Sequence, residues 1–190
     1  MGNLIIKGKG GAGNKLILQD QAGAAVLTTA DSGATVANAT LASTTTFPTG
    51  VIIGVENTTT TTIVAKSDTN YATVISDSIT VKAGSKVLIN VSCPVSASGD
   101  SDPAGGQILQ TGTASATIMA GREIMDEHHA SSGGYFGITL MSGVLSAAGS
   151  YTFSFQGNKL SGDGTVYFVS ANPGSGSASI ASMTLYEIAG

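Results

Sequence analysis

Residues 150–156 read Ser150-Tyr151-Thr152-Phe153-Ser154-Phe155-Gln156. An aromatic ring stands at every second position, with a hydroxyl or an amide between. Successive side chains of an extended strand point to opposite faces, so this spelling sets three rings on one side and three polar groups on the other. That is the signature of a strand with one face on a core and one in water. A second stretch repeats it. In Lys86 to Ser98, Val87, Ile89, Val91 and Cys93 share one face, and Lys86, Asn90 and Ser92 share the other with Leu88.

Outward from these two, the same period of two recurs in short runs: Val51 to Asn57, Thr61 to Lys66, Ala72 to Ile75, Ser78 to Lys82, Ala114 to Glu127, Tyr135 to Met141, Val166 to Ser170 and Ile180 to Ile188. Helical periodicity is absent. Turn residues separate the runs at Ala83-Gly84-Ser85, Ser98 to Gly106, Ala148-Gly149, Gly162-Asp163-Gly164 and Asn172 to Gly176. Many short strands with turns at this spacing predict an all-β antiparallel sandwich or barrel.

The first 35 residues differ. Leu4 to Lys7, Leu16 to Gln19 and Ala25 to Thr28 are short strand candidates between the Gly-rich turns Gly8 to Asn14 and Asp20 to Gly23. So few short strands cannot enclose a core. Residues 1–35 are therefore expected to be a β attachment segment ordered by its neighbours, and residues 36–190 the main domain. The stretch Asp31 to Gly50 reads as a linker ending in the turn Phe47-Pro48-Thr49-Gly50.

Composition narrows the function. Only 11% of the 190 residues are charged, against roughly 25% in typical soluble domains. The chain holds 26 glycines, 23 threonines and 23 serines, so hydroxyls and backbone must do most of the solvating. Eight Lys and Arg against twelve Asp and Glu, with no basic run, cannot neutralise a phosphate backbone, which argues against nucleic acid. No apolar stretch is long enough for a membrane helix, and the first residues lack a basic stretch followed by an apolar one, so neither membrane insertion nor Sec-type export is expected. The single cysteine, Cys93, forms no intrachain disulfide and sits mid-strand on an apolar face, where an inert buried thiol is expected. Val51-Ile52-Ile53-Gly54-Val55 is apolar on both faces, a liability unless another chain covers it. Together with the low charge, this predicts an obligate oligomer.

Two groups of residues carry a resemblance. Asn3-Leu4-Ile5-Ile6-Lys7, Lys15-Leu16-Ile17-Leu18-Gln19-Asp20 and Val26-Leu27-Thr28-Thr29, leading into Asp31-Ser32-Gly33-Ala34-Thr35, resemble the starts of tailed-bacteriophage fibre and virion surface proteins. Gly121-Arg122-Glu123-Ile124 and the terminal Ser182-Met183-Thr184-Leu185-Tyr186-Glu187-Ile188 resemble the trimeric TNF-like jelly-roll heads of such proteins. The resemblance implies a jelly-roll sandwich packed as a homotrimer about a threefold axis. Residues 1–35 would dock on a phage capsid, baseplate or tail protein. With at most 35 residues before the head, it favours a short fibre or a capsid decoration (cement) protein over a long shaft. The expected function is that of a non-enzymatic virion structural protein, assembled in the bacterial host cytoplasm. The competing class is a receptor- or glycan-binding adhesin head that contacts host surface glycan through loops such as Ser98 to Gly106 and Asn172 to Gly176.

Chemistry-bearing motifs are few. Gly8-Lys9-Gly10-Gly11-Ala12-Gly13 has the glycine spacing of a dinucleotide loop, with Asp31 near the ribose-binding position. That mechanism needs a helix at the third glycine, and Asn14 to Leu18 reads as a strand, so a Gly-rich hairpin is expected and no cofactor. His128-His129, after Asp126-Glu127, is one cluster with metal-binding side chains. Neighbours on a strand face opposite ways, so one ion could draw His128 with Asp126, or one His128 from each of three protomers, but a polar strand end is the default. Asp100-Ser101-Asp102 could offer oxygens to Ca²⁺, yet lacks the twelve-residue loop pattern and reads as a solvated turn. No nucleophile elbow or acid pair appears, so no catalytic, cofactor-binding or metal residue is assigned. The aromatic residues, concentrated after Tyr135 and with no tryptophan, are expected in the core and at subunit contacts.

Overall fold

The computed structural model describes residues 17–19, 25–30, 33–36, 47–98, 102–113, 116–119, 123–125, 133–171 and 178–190. The chain forms two compact units, Met1–Thr46 and Phe47–Gly190. In the first, β1 (Ile17–Gln19), β2 (Ala25–Ala30) and β3 (Gly33–Val36) make a three-stranded antiparallel sheet in that order. Residues 33–36, read from sequence as part of a linker, thus add a third strand.

The second unit is a sandwich of two antiparallel sheets. One runs β4 (Ile52–Thr60), β14 (Ala181–Ile188), β7 (Lys86–Ala97) and β11 (Gly133–Met141). The hairpin-like pair β13 (Val166–Phe168) and β5 (Val64–Lys66) joins the far end of β7. The other sheet runs β6 (Ala72–Val81), β12 (Gly149–Lys159), β8 (Ala104–Gly112) and β10 (Glu123–Met125), with β9 (Thr117–Ile118) also on β8. Strand pairing is nested: β4 with β14, β6 with β12, β7 with β11 and β8 with β10. The first long strand meets the last and the fourth meets the fifth, which is the winding of a jelly roll. The fold class expected from the sequence is the one observed, with no helix among the described residues.

Alternation explains the core. Tyr151, Phe153 and Phe155 of β12 face Val87, Ile89, Val91 and Cys93 of β7, all at most 2% exposed. Two expected runs, Ala72 to Ile75 and Ser78 to Lys82, are one strand, β6, because Ser76 and Ser78 point out to hydroxyl partners instead of turning the chain. The strand β8 occupies residues 104–106, which the sequence suggested as a turn.

At the far end of the core three rings meet. Phe136, Phe155 and Phe168 have centroids 5.6 to 6.1 Å apart, and all three are at most 1% exposed. Gly106 and Gly157 oppose each other across β8 and β12, and their missing side chains make the room. A Cβ on Gly106 would lie 2.8 Å from Phe155 Cε2, and one on Gly157 would lie 2.5 and 2.6 Å from Phe168 Cε1 and Cε2.

One buried ionisable residue closes each end of the sandwich. At one, Glu187 of β14 is 5% exposed, and its Oε1 accepts the Lys82 amide and the Ser85 hydroxyl, each at 2.7 Å. This ties the turn after β6 to the last strand. At the other, Lys159 of β12 is 6% exposed and donates to the carbonyls of Gly162 and Gly164 at 2.8 and 2.9 Å.

Candidate interaction face

On the outer side of the β4-β14-β7-β11 sheet, pairing register aligns residues of distant sequence into rows. Val55, Tyr186, Leu88 and Met141 are consecutive cross-strand neighbours, forming an apolar band across four strands. On one flank lie Ile52, Ile188 and Lys86. On the other lie Asn57, Thr184, Asn90 and Thr139, and beyond them Thr59, Ser182, Ser92 and Gly137. Asn57 Nδ2 donates to Thr184 Oγ1 at 2.7 Å along the first of these polar rows. Lys86 is the sole charged side chain in the four rows. Val55 is 54% exposed, Ile52 53% and Met141 45%, a contiguous apolar exposure of the kind that marks interaction sites. The two-faced strand read in the sequence is thus an edge strand whose apolar residues lie bare.

The outer side of the other sheet is different in kind. Ser76 with Ser154 (3.0 Å), Ser78 with Thr152 (2.7 Å) and Gln107 with Gln156 (2.8 Å) bond across strands. Its polar groups are turned on one another.

The residues singled out in the sequence fall as follows. Residues 8–13, Asp31, Asp100, Ser101, Asp126, Glu127, His128, His129 and the loop 172–176 lie outside the described residues. Asp102 is described, and it is not a solvated turn residue: it is 1% exposed and accepts the Gly164 amide on Oδ1 at 2.9 Å. The turn 162–165 has inward amides and carbonyls that need partners, and Asp102 and Lys159 supply them. Asp102 Oδ2 and Asn158 Oδ1 are buried without a hydrogen-bond partner. Among the described residues no group of three His, Cys, Asp or Glu could hold a metal ion. Cys93 is fully buried, and burial pushes its thiol up to about 11, from the usual 9.0. Of the late aromatic residues, Phe136, Tyr151, Phe153, Phe155 and Phe168 are core, while Tyr135 is 64% exposed beside Pro94. Val169, wholly buried, has φ +66°, a left-handed conformation that β-branched residues avoid.

The chain matches no protein-family model, and no curated protein matches it. Among solved structures it is similar to capsid structures of infectious bursal disease virus. With the crystal structure of the T13 viral particle it shares 12% identity over 85% of this chain and 44% of that one, with a TM-score of 0.41. With the VP2 subviral particle the values are 14% identity, 72% and 38% coverage and a TM-score of 0.39. With the Gx strain structure they are 12%, 73%, 39% and 0.39. The chain spans less than half the length of these proteins. The jelly-roll topology is read from the strand pairings above and is independent of this likeness.

Proposed function

We propose that the chain is a non-enzymatic virion structural protein of a tailed bacteriophage, a homotrimer that decorates or stabilises the capsid or forms a short head or tail fibre. The observation that carries this reading is the outer face of the β4-β14-β7-β11 sheet. Its apolar band leaves Val55 and Met141 bare, and its flanking Asn, Thr and Ser groups both donate and accept hydrogen bonds. Neighbouring copies can meet across it with almost no like-charge repulsion. A sheet four strands wide and about nine residues long covers about 19 by 30 Å, the scale of a standard interface of ~800 Å² per partner. Closed symmetry would bury the band and shield the β4 edge. The attachment segment, residues 1–35, would join a capsid, baseplate or tail protein by strand addition.

Light scattering on the full chain tests the assembly, with an expected mass three times 18.8 kDa. Leu88→Glu should drop it to one chain's mass, and a single-chain mass for the unmodified protein would overturn the trimer. Mass spectrometry of purified phage particles tests the location; absence of the chain from them would overturn the virion role. The adhesin reading is favoured by one feature, the exposed ring of Tyr135, and predicts glycan-array binding that Tyr135→Ala abolishes.

A further inference from the structure

At the Lys86 end of the same sheet the surface is hollowed. A cavity of about 480 Å³ is walled by Met141, Val144, Ile188 and Ala189, with Lys86 also in its lining. A second hollow of about 370 Å³, reaching Ile118 and Met119, shares the Met141 and Val144 wall. Both volumes fall in the range of small-molecule sites.

Its walls are fixed from behind. The loop carrying Val144 is held by Leu145 N to Ser85 O (2.9 Å), Gly84 N to Leu145 O (2.8 Å) and Ser142 N to Val87 O (2.8 Å). The opposite wall is held by Gly50 N to Ala189 O and Ala189 N to Val51 O, at 2.8 and 2.9 Å. Val144 therefore stays 61% exposed instead of folding inward, and the hollow is preformed. No ion pair joins Lys86 to a carboxylate side chain among the described residues, so it brings its charge to a lining that also includes Thr49, Gly50, Gly84 and Gly190. An ammonium offers three donors and no acceptor.

We propose that this groove binds a free acyl carboxylate, its unbranched apolar chain along Met141, Val144 and Ile188 and its carboxylate on Lys86 Nζ. Apolar burial supplies the bulk of the affinity and the charge-assisted hydrogen bond selects the head group.

Titration calorimetry on the full chain, with decanoate below its micellar concentration and decanol as the uncharged comparator, tests it. Decanoate should bind about tenfold more tightly than decanol, the worth of one hydrogen bond to a charged group. Lys86→Gln should erase that difference, and Val144→Gln should weaken both ligands, with circular dichroism confirming the β fold of each variant. Absence of decanoate binding, equal affinity for the two ligands, or binding indifferent to both substitutions would overturn the proposal. Because Lys86, Ile188 and Met141 also stand in the rows of the proposed contact face, the titrations are read beside the mass measured on the same sample, which alone decides the trimer.

Discussion

Gly157→Ala is the sharpest probe of how this core is built. The added methyl would sit 2.5 and 2.6 Å from Phe168 Cε1 and Cε2, inside any real carbon contact. Gly157 has no left-handed φ, so alanine is not strained by its backbone; the penalty is steric alone. Phe168 cannot retreat, because it is wholly buried and packed on Phe136 and Phe155 at 6.1 Å from each. Overpacking of a full core costs about 1–3 kcal/mol. At about 2–4 °C per kcal/mol for a unit of this size, the melting temperature should fall by about 2–12 °C. Phe168→Leu removes the ring atoms that the methyl strikes, so the two changes should not add. In a double-mutant cycle followed by urea unfolding, Gly157→Ala with Phe168→Leu should be less destabilised than the sum of the singles by at least about 1 kcal/mol. A neutral Gly157→Ala, or a strictly additive cycle, would refute the idea that the glycine exists to seat the ring.

Three further outcomes are expected. Glu187→Ala should cost about 2–4 kcal/mol, since two hydrogen bonds to a buried carboxylate are lost and the Lys82 amide is stranded; Glu187→Gln, retaining one acceptor oxygen, should cost clearly less in urea unfolding. Because burial raises the Cys93 thiol to about 11 from 9.0, the folded state keeps a proton that the unfolded state sheds. That contribution is complete below pH 9 and is lost as pH rises towards 11, so unfolding profiles of the protein and of Cys93→Ala should converge across that window by about 2–3 kcal/mol. At Val169, φ +66° reverses the usual order of small residues: Val169→Gly should melt higher than Val169→Ala, by about 1 kcal/mol in stability.

The parts of the fold legible in the sequence were those whose strands alternate strongly. The rings of β12 and the aliphatic residues of β7 declare their buried side without any knowledge of neighbours. The strand β8 does not, because it begins Ala104-Gly105-Gly106, and those residues look like a turn for the very reason that makes them a strand here. Gly106 is small so that Phe136 and Phe155 can lie across it, and Gly105 so that Asn158 and Leu160 can. Asp102 likewise looked solvated because its partner, the Gly164 amide, comes from a turn 62 residues on. The interaction face was half visible. Alternation shows that Leu88 and Tyr186 each leave the core side of their own strands, but only the order β4-β14-β7-β11 sets them side by side with Val55 and Met141.

That ordering has an environmental consequence. Across its four rows the face presents one charged side chain, Lys86, and no carboxylate. Dissolved salt has almost no Coulombic attraction to screen there, and acid has no carboxylate to neutralise. An assembly closed through this surface should keep its grip from dilute buffer to brine and from mildly acid to mildly alkaline water, where one fastened by ion pairs would loosen.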